Sequence, residues 1–134
     1  MTTVKSQPLI AVRDVRASSA WYRTLLDLDA LPDHPHRDLY DRMMLGGEIV
    51  LQLHAWDDED HPNLVNRDAA PRGHGVALWF EVDDFDAAVS RARDLGARVL
   101  REPHVNPAPK HREMWLRDPD DYCVVLASAD GEAA

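Results

Sequence analysis

The fold is decided by residues 73–99, which read GHGVALWFEVDDFDAAVSRARDLGARV. Within them, Val76–Val82 is a short run rich in β-branched and aromatic residues, and such a run predicts a buried strand. Asp84 can then cap a helix, because its carboxylate accepts from backbone N–H groups that lack a partner inside the helix. Apolar residues recur at helical spacing as far as Gly96, which takes positive φ without steric cost and so ends the helix. The stretch therefore predicts a strand, a helix and a second strand in succession.

The first part of the chain repeats this pattern. A strand-like run ends in Asp14, and an amphipathic segment follows it. When Asp14 is placed on Asp84 and one gap is allowed, Asp27 falls on Gly96. An internal repeat of this kind indicates two copies of one structural unit. The sequence therefore predicts a single domain over residues 1–134 with two β-α-β-β-β modules, module 1 at about 7–55, a linker at 56–73 and module 2 at about 74–128.

The boundaries of the elements follow from hydrophobic period and turn residues. In module 1 we expect strands at 7–14, 28–34, 38–45 and 48–55 and a helix at 15–27. Pro32 and Pro35 weaken the second of these strands. In module 2 we expect a helix between Asp84 and Gly96, a proline-rich loop at 103–109, and strands at 76–82, 97–102, 110–117 and 122–128. The residues from Ser128 onward are expected to be disordered.

Charge and composition limit the classes of function. With 15 basic and 24 acidic residues the formal net charge is −9, which argues against binding to nucleic acid or to anionic membranes. No apolar run is long enough to span a bilayer and no signal-peptide core is present, so a cytoplasmic location is expected. Cys123 is the single cysteine and lies in a predicted strand, which favours a structural thiol over a nucleophile.

Strand alternation predicts which side chains share a face. Four apolar residues should face the helices: Met43, Leu45, Met114 and Leu116. Polar and aromatic residues should face the other way: Tyr40, Arg42, Gln52, His54, Trp79, His111, Glu113 and Trp115. A sheet face of this composition is typical of a small-molecule cavity, although the same residue types also favour a dimer interface.

Several motifs together resemble one known family. They are Val12-Arg13-Asp14 before a helix with Trp21-Tyr22, Phe80-Glu-Val-Asp-Asp84, Asp94-Leu95-Gly96 and Asp118-Pro-Asp-Asp-Tyr122. These motifs and the paired modules resemble the vicinal oxygen chelate superfamily, which includes glyoxalase I, bleomycin-resistance proteins and extradiol dioxygenases. The resemblance implies an α+β fold in which tandem βαβββ modules form a curved, cup-like mixed sheet with the helices outside. It also implies frequent pairing of chains as dimers.

The resemblance further implies where a divalent ion would bind. Metal enzymes of the superfamily hold it with His, Glu or Gln from the first and last strands of both modules. The matching positions here are Gln7, Gln52, Ala77 and Val125. Since Ala and Val have no donor atom, and amide oxygens are weak replacements for imidazole and carboxylate, the usual metal site is predicted to be absent. A non-standard divalent-metal site could use His54, His111 and Glu113.

The turn at 118–122 departs from the family in one residue. Asp121 stands where glycine is usual, and aspartate is one of the few other residues that tolerate left-handed geometry. Asp118 is then expected to brace the turn rather than to catalyse.

Two classes of function remain open. In the first, the protein is a metal-free binder of a small ligand, either aromatic or cationic, which stacks on Trp79 and Trp115. The residues that would orient it are Gln7, Tyr40, Arg42, Gln52, His54, His111 and Glu113. In the second, it is a lyase, isomerase or dioxygenase-like enzyme with His111 or Glu113 as general base. A homodimer is expected in both, with residues 56–72 near the cup mouth or the subunit contact.

Overall fold

The computed structural model describes residues 3, 5–56, 64 and 73–134. The chain divides into two compact units. The first consists of Met1–Arg23 with Leu28–Ala69, and the second of Thr24–Asp27 with Ala70–Ala134. The described residues form two helices and seven strands, and the strands make two mixed sheets, so the predicted α+β class is confirmed. Among the described residues, no helix is long and apolar enough to cross a membrane.

The first sheet has three strands in the order β1-β3-β2. Its elements are β1 Leu9–Val12, α1 Val15–Leu26, β2 Tyr40–Leu45 and β3 Glu48–Ala55. β1 runs parallel to β3, and β2 runs antiparallel to it. Met43, Leu51 and Leu53 are fully buried, while their neighbours Gln52 and His54 are half-buried. The predicted alternation along β3 is therefore confirmed.

The second sheet has four strands in the order β4-β7-β6-β5. Its elements are β4 Ala77–Glu81, α2 Phe85–Asp94, β5 Arg98–Asn106, β6 His111–Arg117 and β7 Cys123–Ala127. β4 is parallel to β7, and the other pairs are antiparallel. Met114 and Leu116 are fully buried, as the alternation predicts, and Phe85 and Ala88 give α2 its buried face.

Both helices begin in the same way. The carboxylate of Asp14 accepts from the backbone N–H of Ala17 at 3.0 Å, and that of Asp84 accepts from Ala87 at 3.0 Å. Each bond satisfies one of the N–H groups that a helix start leaves without an internal partner. The alignment of Asp14 with Asp84 is therefore an alignment of equivalent capping residues.

Both helices also end in the same way. Asp27 has φ 55° and Gly96 has φ 64°, so each takes the left-handed conformation that closes a helix. The next amide donates back across the last turn, from Leu28 to the carbonyl of Arg23 at 3.0 Å and from Ala97 to that of Ala92 at 3.1 Å. The repeat predicted from sequence is thus a repeat of structure.

The strand predicted at 28–34 is wrong. This segment is irregular, and it meets the sheet through one backbone bond from Asp29 N to Met44 O at 3.0 Å. Pro32 has no N–H to donate, and the residue before each proline is sterically restricted, so a regular ladder cannot continue here. Module 1 therefore has one strand fewer than module 2.

The prediction of a loop at 103–109 is wrong for residues 103–106. β5 continues through Pro103 to Asn106, and it pairs with β6 beyond a register shift between Arg101 and His104. β5 is an edge strand, where proline is tolerated because its missing N–H is not needed by a neighbour. This extension brings His104 opposite Glu113.

The prediction that the C-terminal residues are disordered is wrong, because they are held by hydrogen bonds. The amides of Ser128, Gly131 and Ala133 donate to backbone carbonyls at 2.9–3.1 Å, the first of them to Arg112. The guanidinium of Arg112 also pairs with Glu132 through two bonds of 2.9 Å. The tail is therefore tied to β6.

Two details of the strands and turns follow from local geometry. Leu45 is 49% exposed and not packed as predicted, because a register shift between Met43 and Met44 breaks the alternation of β2. Asp121 has φ 71°, and Asp118 accepts from the backbone N–H of Tyr122 at 2.9 Å, so both roles predicted for this turn are confirmed. The predicted placement of the linker at 57–63 and 65–72 lies outside the described residues.

Candidate functional site

The face of the second sheet that lies opposite α2 carries the densest group of polar and aromatic side chains. Trp79 on β4, Val125 on β7 and Trp115 on β6 stand side by side in register. Glu113 lies two residues from Trp115 on β6 and therefore shares its face. Where β6 pairs with β5, the register partner of Glu113 is His104.

Glu113 is the centre of this group. It is only 4% exposed, and its carboxylate accepts hydrogen bonds from four side chains. The donors are His111 Nε2 at 2.6 Å, Trp115 Nε1 at 3.0 Å, His104 Nε2 at 3.1 Å and Asn106 Nδ2 at 3.5 Å. Burial acts to raise the pKa of Glu113, but these hydrogen bonds outweigh it and lower the pKa to about 2.

His111 is held from both sides of its ring. Its Nε2 atom bonds Glu113, and its Nδ1 atom lies 3.4 Å from the carboxylate of Asp130 in the ordered tail. The hydrogen bond to Glu113 raises the pKa of His111, burial opposes that shift, and Asp130 adds to it. The imidazole therefore keeps its proton to higher pH than an unperturbed histidine.

The two indoles form the aromatic part of the site. Trp79 and Trp115 meet edge to face with their ring centroids 6.2 Å apart, and the ring of His111 lies 5.7 Å from Trp79. Trp79 is 46% exposed, whereas Val125 between the two indoles is fully buried. An indole held by neighbours and left half open to solvent is suited to stacking on a planar ligand.

The first sheet carries a separate polar group on the face of Gln52. Tyr40 Oη donates to Gln52 Oε1 at 2.5 Å, and Arg42 Nε donates to Tyr40 Oη at 3.2 Å. Gln52 Nε2 donates to the backbone oxygen of Gln7 at 2.9 Å. The ring of His54 lies 6.3 Å from that of Tyr40. Gln7 thus contributes a carbonyl to the network, while the residue itself is exposed.

The predicted site residues therefore fall into two groups, one in each unit. Gln7, Tyr40, Arg42, Gln52 and His54 belong to the first, and Trp79, His111, Glu113 and Trp115 to the second. Each group is internally connected by the contacts given above. Their joint participation in one cavity remains a prediction.

The four metal positions implied by the resemblance do not fit a divalent ion. Gln52 pairs with Leu9 on β1 and Val125 pairs with Trp79 on β4, so these two positions are equivalent in the two sheets. Val125 offers no donor, nor does Ala77, and the amide oxygen of Gln52 already accepts from Tyr40. Within the described part of the chain, no three His, Cys, Asp or Glu residues are grouped to hold a metal ion.

Three members of the Glu113 group were missed by sequence reasoning. His104 and Asn106 were assigned to a loop, because Pro103 was read as the end of a strand. Asp130 was assigned to a disordered tail, although it lies 3.4 Å from His111. An alternation test applied across Pro103 would have found the first two, since His104 and Asn106 are two residues apart.

Cys123 is not activated as a nucleophile. It is half-buried on β7, and burial raises the pKa of its thiol. A raised pKa keeps the sulfur protonated at neutral pH, which agrees with the predicted structural role.

Comparison with known proteins gives a family and a fold. The sequence model described as Glyoxalase/Bleomycin resistance protein/Dioxygenase superfamily matches residues 6–126. A family enzyme of that description from Burkholderia phytofirmans PsJN has a TM-score of 0.71 at 20% identity, over 92% of this chain and 96% of that one. Lactoylglutathione lyase from Agrobacterium tumefaciens gives 0.66 at 20%, over 96% of each chain. The fosfomycin resistance protein FosX of Listeria monocytogenes gives 0.67 at 12%, over 99% and 98%.

A curated relative matches over a shorter stretch. The formamidopyrimidine-DNA glycosylase of Streptomyces coelicolor is 31% identical over 74 residues, which is 55% of this chain and 26% of that protein. The match spans about a quarter of the relative's length and gives no indication of activity for this chain. The structural neighbours, all at low identity, agree on the fold.

Proposed function

The chain belongs to the glyoxalase/bleomycin resistance protein/dioxygenase superfamily, and on that premise we propose that it binds a small planar aromatic molecule without a metal at the family's usual positions. The observation that carries the proposal is the exposure of the Trp79 side chain to solvent. It remains 46% exposed although it contacts both Trp115 and His111. A large aromatic side chain that is fixed by neighbours yet open to solvent offers stacking area at little entropic cost.

The polar groups around the indoles supply orientation. Glu113 is ionised and held by four donors, so its position is fixed before a ligand arrives. Preorganised groups of this kind reduce the ordering cost of binding. On the first sheet, Tyr40, Arg42 and Gln52 form a second fixed polar set.

The absence of a usual metal set supports binding over the chemistry of metal enzymes. Ala77 and Val125 stand where two ligands would be needed, and neither carries a donor atom. The enzyme alternative, a lyase, isomerase or dioxygenase-like activity, would rely on His111 as general acid, because its raised pKa retains the proton. The same contacts make Glu113, with a pKa of about 2, a poor general base.

The test is a tryptophan-fluorescence titration with a panel of small aromatic compounds. We expect quenching that saturates, and we expect Trp79→Ala to weaken binding by about 1–3 kcal/mol, the usual value of one aromatic stacking contact. Val105→Ala is the matched control, because Val105 is 53% exposed but pairs with Arg112 on the other face of the same sheet. Equal affinity in the wild type and Trp79→Ala would contradict the proposal, as would a panel in which nothing binds.

A further inference from the structure

The arginines of the second unit differ in whether a protein oxygen is bound to their guanidinium group. Five of them donate to a carboxylate or to a carbonyl oxygen: Arg91, Arg93, Arg98, Arg112 and Arg117. Arg101 on β5 is exposed, and its guanidinium forms no hydrogen bond or ion pair with the described part of the chain. Because a guanidinium always carries its charge and has five N–H donors, Arg101 keeps a complete set of donors for a ligand.

Arg101 lies beside the aromatic part of the candidate site. It is the register partner of Trp115, and the same row of the sheet continues through Val125 on β7 to Trp79 on β4. Register partners leave a sheet on the same face, so the side chain of Arg101 shares a face with the two indoles. One face of the second sheet thus carries both a half-open aromatic surface and an unpaired guanidinium.

The length of this row suits a small ligand. Neighbouring strands lie about 4.8 Å apart, so the Cα atoms of Trp79 and Trp115 are about 10 Å apart and that of Arg101 is one strand further on. The ring centroids of the two indoles are only 6.2 Å apart, so the rings lean toward each other over Val125. A two-ring aromatic molecule that lies on Trp79 can therefore extend along the row to the side chain of Arg101.

The charges next to Arg101 favour an anionic group. The neighbouring row of the same face carries Arg98 and Arg117, which are register partners of each other. Arg98 pairs with the carboxylate of Asp121, and Arg117 donates to the backbone oxygen of the same residue at 2.9 Å. The other two aspartates of the turn at 118–122 are buried. At this end of the face, the described residues therefore set three guanidinium groups against one exposed carboxylate.

The negative charges of the protein have little effect at Arg101. The formal net charge is −9, but at physiological ionic strength exposed charges act over about 8 Å, so the nearest groups decide. Glu113 lies in the adjoining row, but it is 4% exposed and its carboxylate is enclosed by four donors. Glu81 is exposed two residues from Trp79, so it disfavours an anionic group at that end of the row and favours one at Arg101.

We propose that the ligand is a planar aromatic carboxylate, whose ring stacks on Trp79 and whose carboxylate is bound by Arg101. The inference deepens the proposed function and rests on it, because it names the ligand class for the same indole surface. Arginine and a carboxylate form two parallel N–H···O bonds, which fix the direction of the ligand as well as adding affinity. Arg101 is then the residue that determines specificity for an acidic substituent.

The experiment compares 2-naphthoate with 2-naphthamide by isothermal titration calorimetry. The two probes have nearly the same shape, and at about pH 7.5 only the first is charged, because carboxylic acids titrate near pH 4. We expect 2-naphthoate to bind the wild type at least about tenfold more tightly, as one charge-assisted pair predicts. Raising the salt concentration from about 0.05 M to about 0.5 M should reduce this preference, because salt screens exposed charges.

Variants assign the preference to one residue. Arg101→Gln keeps N–H donors but removes the charge, so the two affinities should come within about twofold of each other while that of 2-naphthamide is unchanged. Arg101→Lys keeps the charge without the planar fork and should retain part of the preference. Arg16→Gln changes the net charge by the same amount at an exposed helix position of the first unit, and it should retain the full preference. Circular dichroism melts verify folding, and Arg101→Lys with the salt series keeps the test available if Arg101→Gln does not fold.

The outcomes separate the inference from the proposed function. If both probes bind the wild type equally, or 2-naphthamide binds more tightly, the carboxylate class is overturned while aromatic binding stands. A preference for 2-naphthoate that is unchanged in Arg101→Gln, or lost equally in Arg16→Gln, overturns the role of Arg101. If neither probe binds although the fluorescence panel finds another ligand, the inference is wrong and the proposed function survives. If no aromatic compound binds in either assay, both fail.

Discussion

At the scale of single residues, the stability of the second unit depends on how Glu113 is paired. A buried carboxylate costs free energy unless its oxygens are hydrogen-bonded, and here four donors meet that need. Removing one charged partner leaves the other buried without compensation, which commonly costs more than the pair contributes. The pairing of Glu113 with His111 is therefore expected to make stability depend on pH.

The first prediction concerns His111→Gln. Because the pKa of His111 is raised on folding, its contribution is fully present below its usual value near 6.5 and is lost as the pH rises through the folded-state value. Glu113 has its pKa lowered from 4.5 to about 2, so its contribution is present above 4.5 and lost as the pH falls toward 2. The variant should therefore lose most, about 1–3 kcal/mol, between these limits, at about pH 4.5–6.5.

Urea unfolding of wild type and variant at several pH values measures this difference. His36→Gln, an exposed histidine, should follow the wild-type curve at each pH. A difference between wild type and His111→Gln that stays constant from acid to alkaline pH would be evidence against an imidazolium at this position.

The second prediction concerns the buried carboxylate of the first unit. Asp41 is 2% exposed and accepts from Ser19 Oγ at 2.8 Å, Arg23 Nη2 at 3.0 Å and Arg37 Nε at 3.1 Å. Burial acts to raise the pKa of Asp41, but the bonds from Ser19 and Arg23 prevail and lower it. Asp41→Asn should cost about 3 kcal/mol near neutral pH, since it removes the buried counter-charge of the part-buried Arg23 and Arg37.

Asp38→Asn is the matched control for Asp41→Asn. Asp38 also pairs with an arginine, Arg16, at 2.5 Å, but its side chain is 76% exposed. Exposed ion pairs contribute little to stability because solvent screens them, so this variant should unfold close to the wild type. Chemical denaturation of both variants gives the comparison, and equal losses would show that burial does not set the contribution of Asp41. The loss in Asp41→Asn should also shrink as the pH falls below about 3.8, because the unfolded wild-type chain then takes up a proton at Asp41 while the folded state, with its lowered pKa, does so only at lower pH.

At the scale of elements, the two helices differ at one equivalent position. Asp27 and Gly96 both close a helix with positive φ, but only glycine does so without strain. The third prediction is that Asp27→Gly stabilises the protein and Gly96→Asp destabilises it, each by about 1 kcal/mol. A β-carbon at Gly96 would meet no atom within 4 Å, so the second effect reports conformation and not a clash.

Thermal and urea unfolding of the two helix-end variants test the equivalence directly. Asp83→Ala serves as the control, because Asp83 is exposed and lies outside the capping positions. Shifts of the same sign in both variants would contradict the repeat at this level of detail.

The helix ends and most strands could be predicted because their causes are local. Capping by Asp84, termination at Gly96 and alternation along β6 depend on residues a few positions apart, and the sequence displays them. The predicted strand at 28–34 does not form, for a different reason. The repeat required it, but Pro32 and Pro35 removed or restricted the backbone groups that a ladder needs.

The errors around the site came from contacts between distant parts of the chain. Whether a strand can pass through Pro103 depends on its being an edge strand, which is a property of the sheet. Whether residues beyond Ser128 are ordered depends on Arg112, which binds Glu132 at a separation of 20 residues. His104 and Asp130 were missed for these two reasons, while His111, Glu113 and Trp115 were grouped correctly by alternation alone.

At the scale of the whole molecule, the fourth prediction is that the protein is a homodimer. Large apolar side chains remain exposed on the described part of the chain, among them Leu39, Trp79 and Val105 at 46–59%. Tryptophan is among the residue types that are enriched at protein–protein interfaces. Light scattering at micromolar concentration should give about 30 kDa, twice the 15.1 kDa of one chain. A mass of one chain that persists as concentration rises would contradict the dimer.

The last prediction is that the purified protein carries no stoichiometric metal and lacks lactoylglutathione lyase activity. An enzyme that chelates its substrate through a metal needs about three or four firm protein ligands and open positions besides. Of the four positions given by the resemblance, Ala77 and Val125 have no donor, and the amide oxygen of Gln52 accepts from Tyr40.

The alternative metal set has members that are already paired. His111 Nε2 lies 2.6 Å from the carboxylate of Glu113, so an ion at these two residues would have to displace this bond. Elemental analysis of protein never exposed to a nickel column is the measurement, and we expect far less than one metal ion per chain. Zinc, nickel, manganese or iron near one equivalent, lost in His111→Ala but kept in His36→Ala, would overturn this prediction. It would also make the group around Glu113 a metal centre, because a divalent ion is bound by neutral imidazole and by carboxylate.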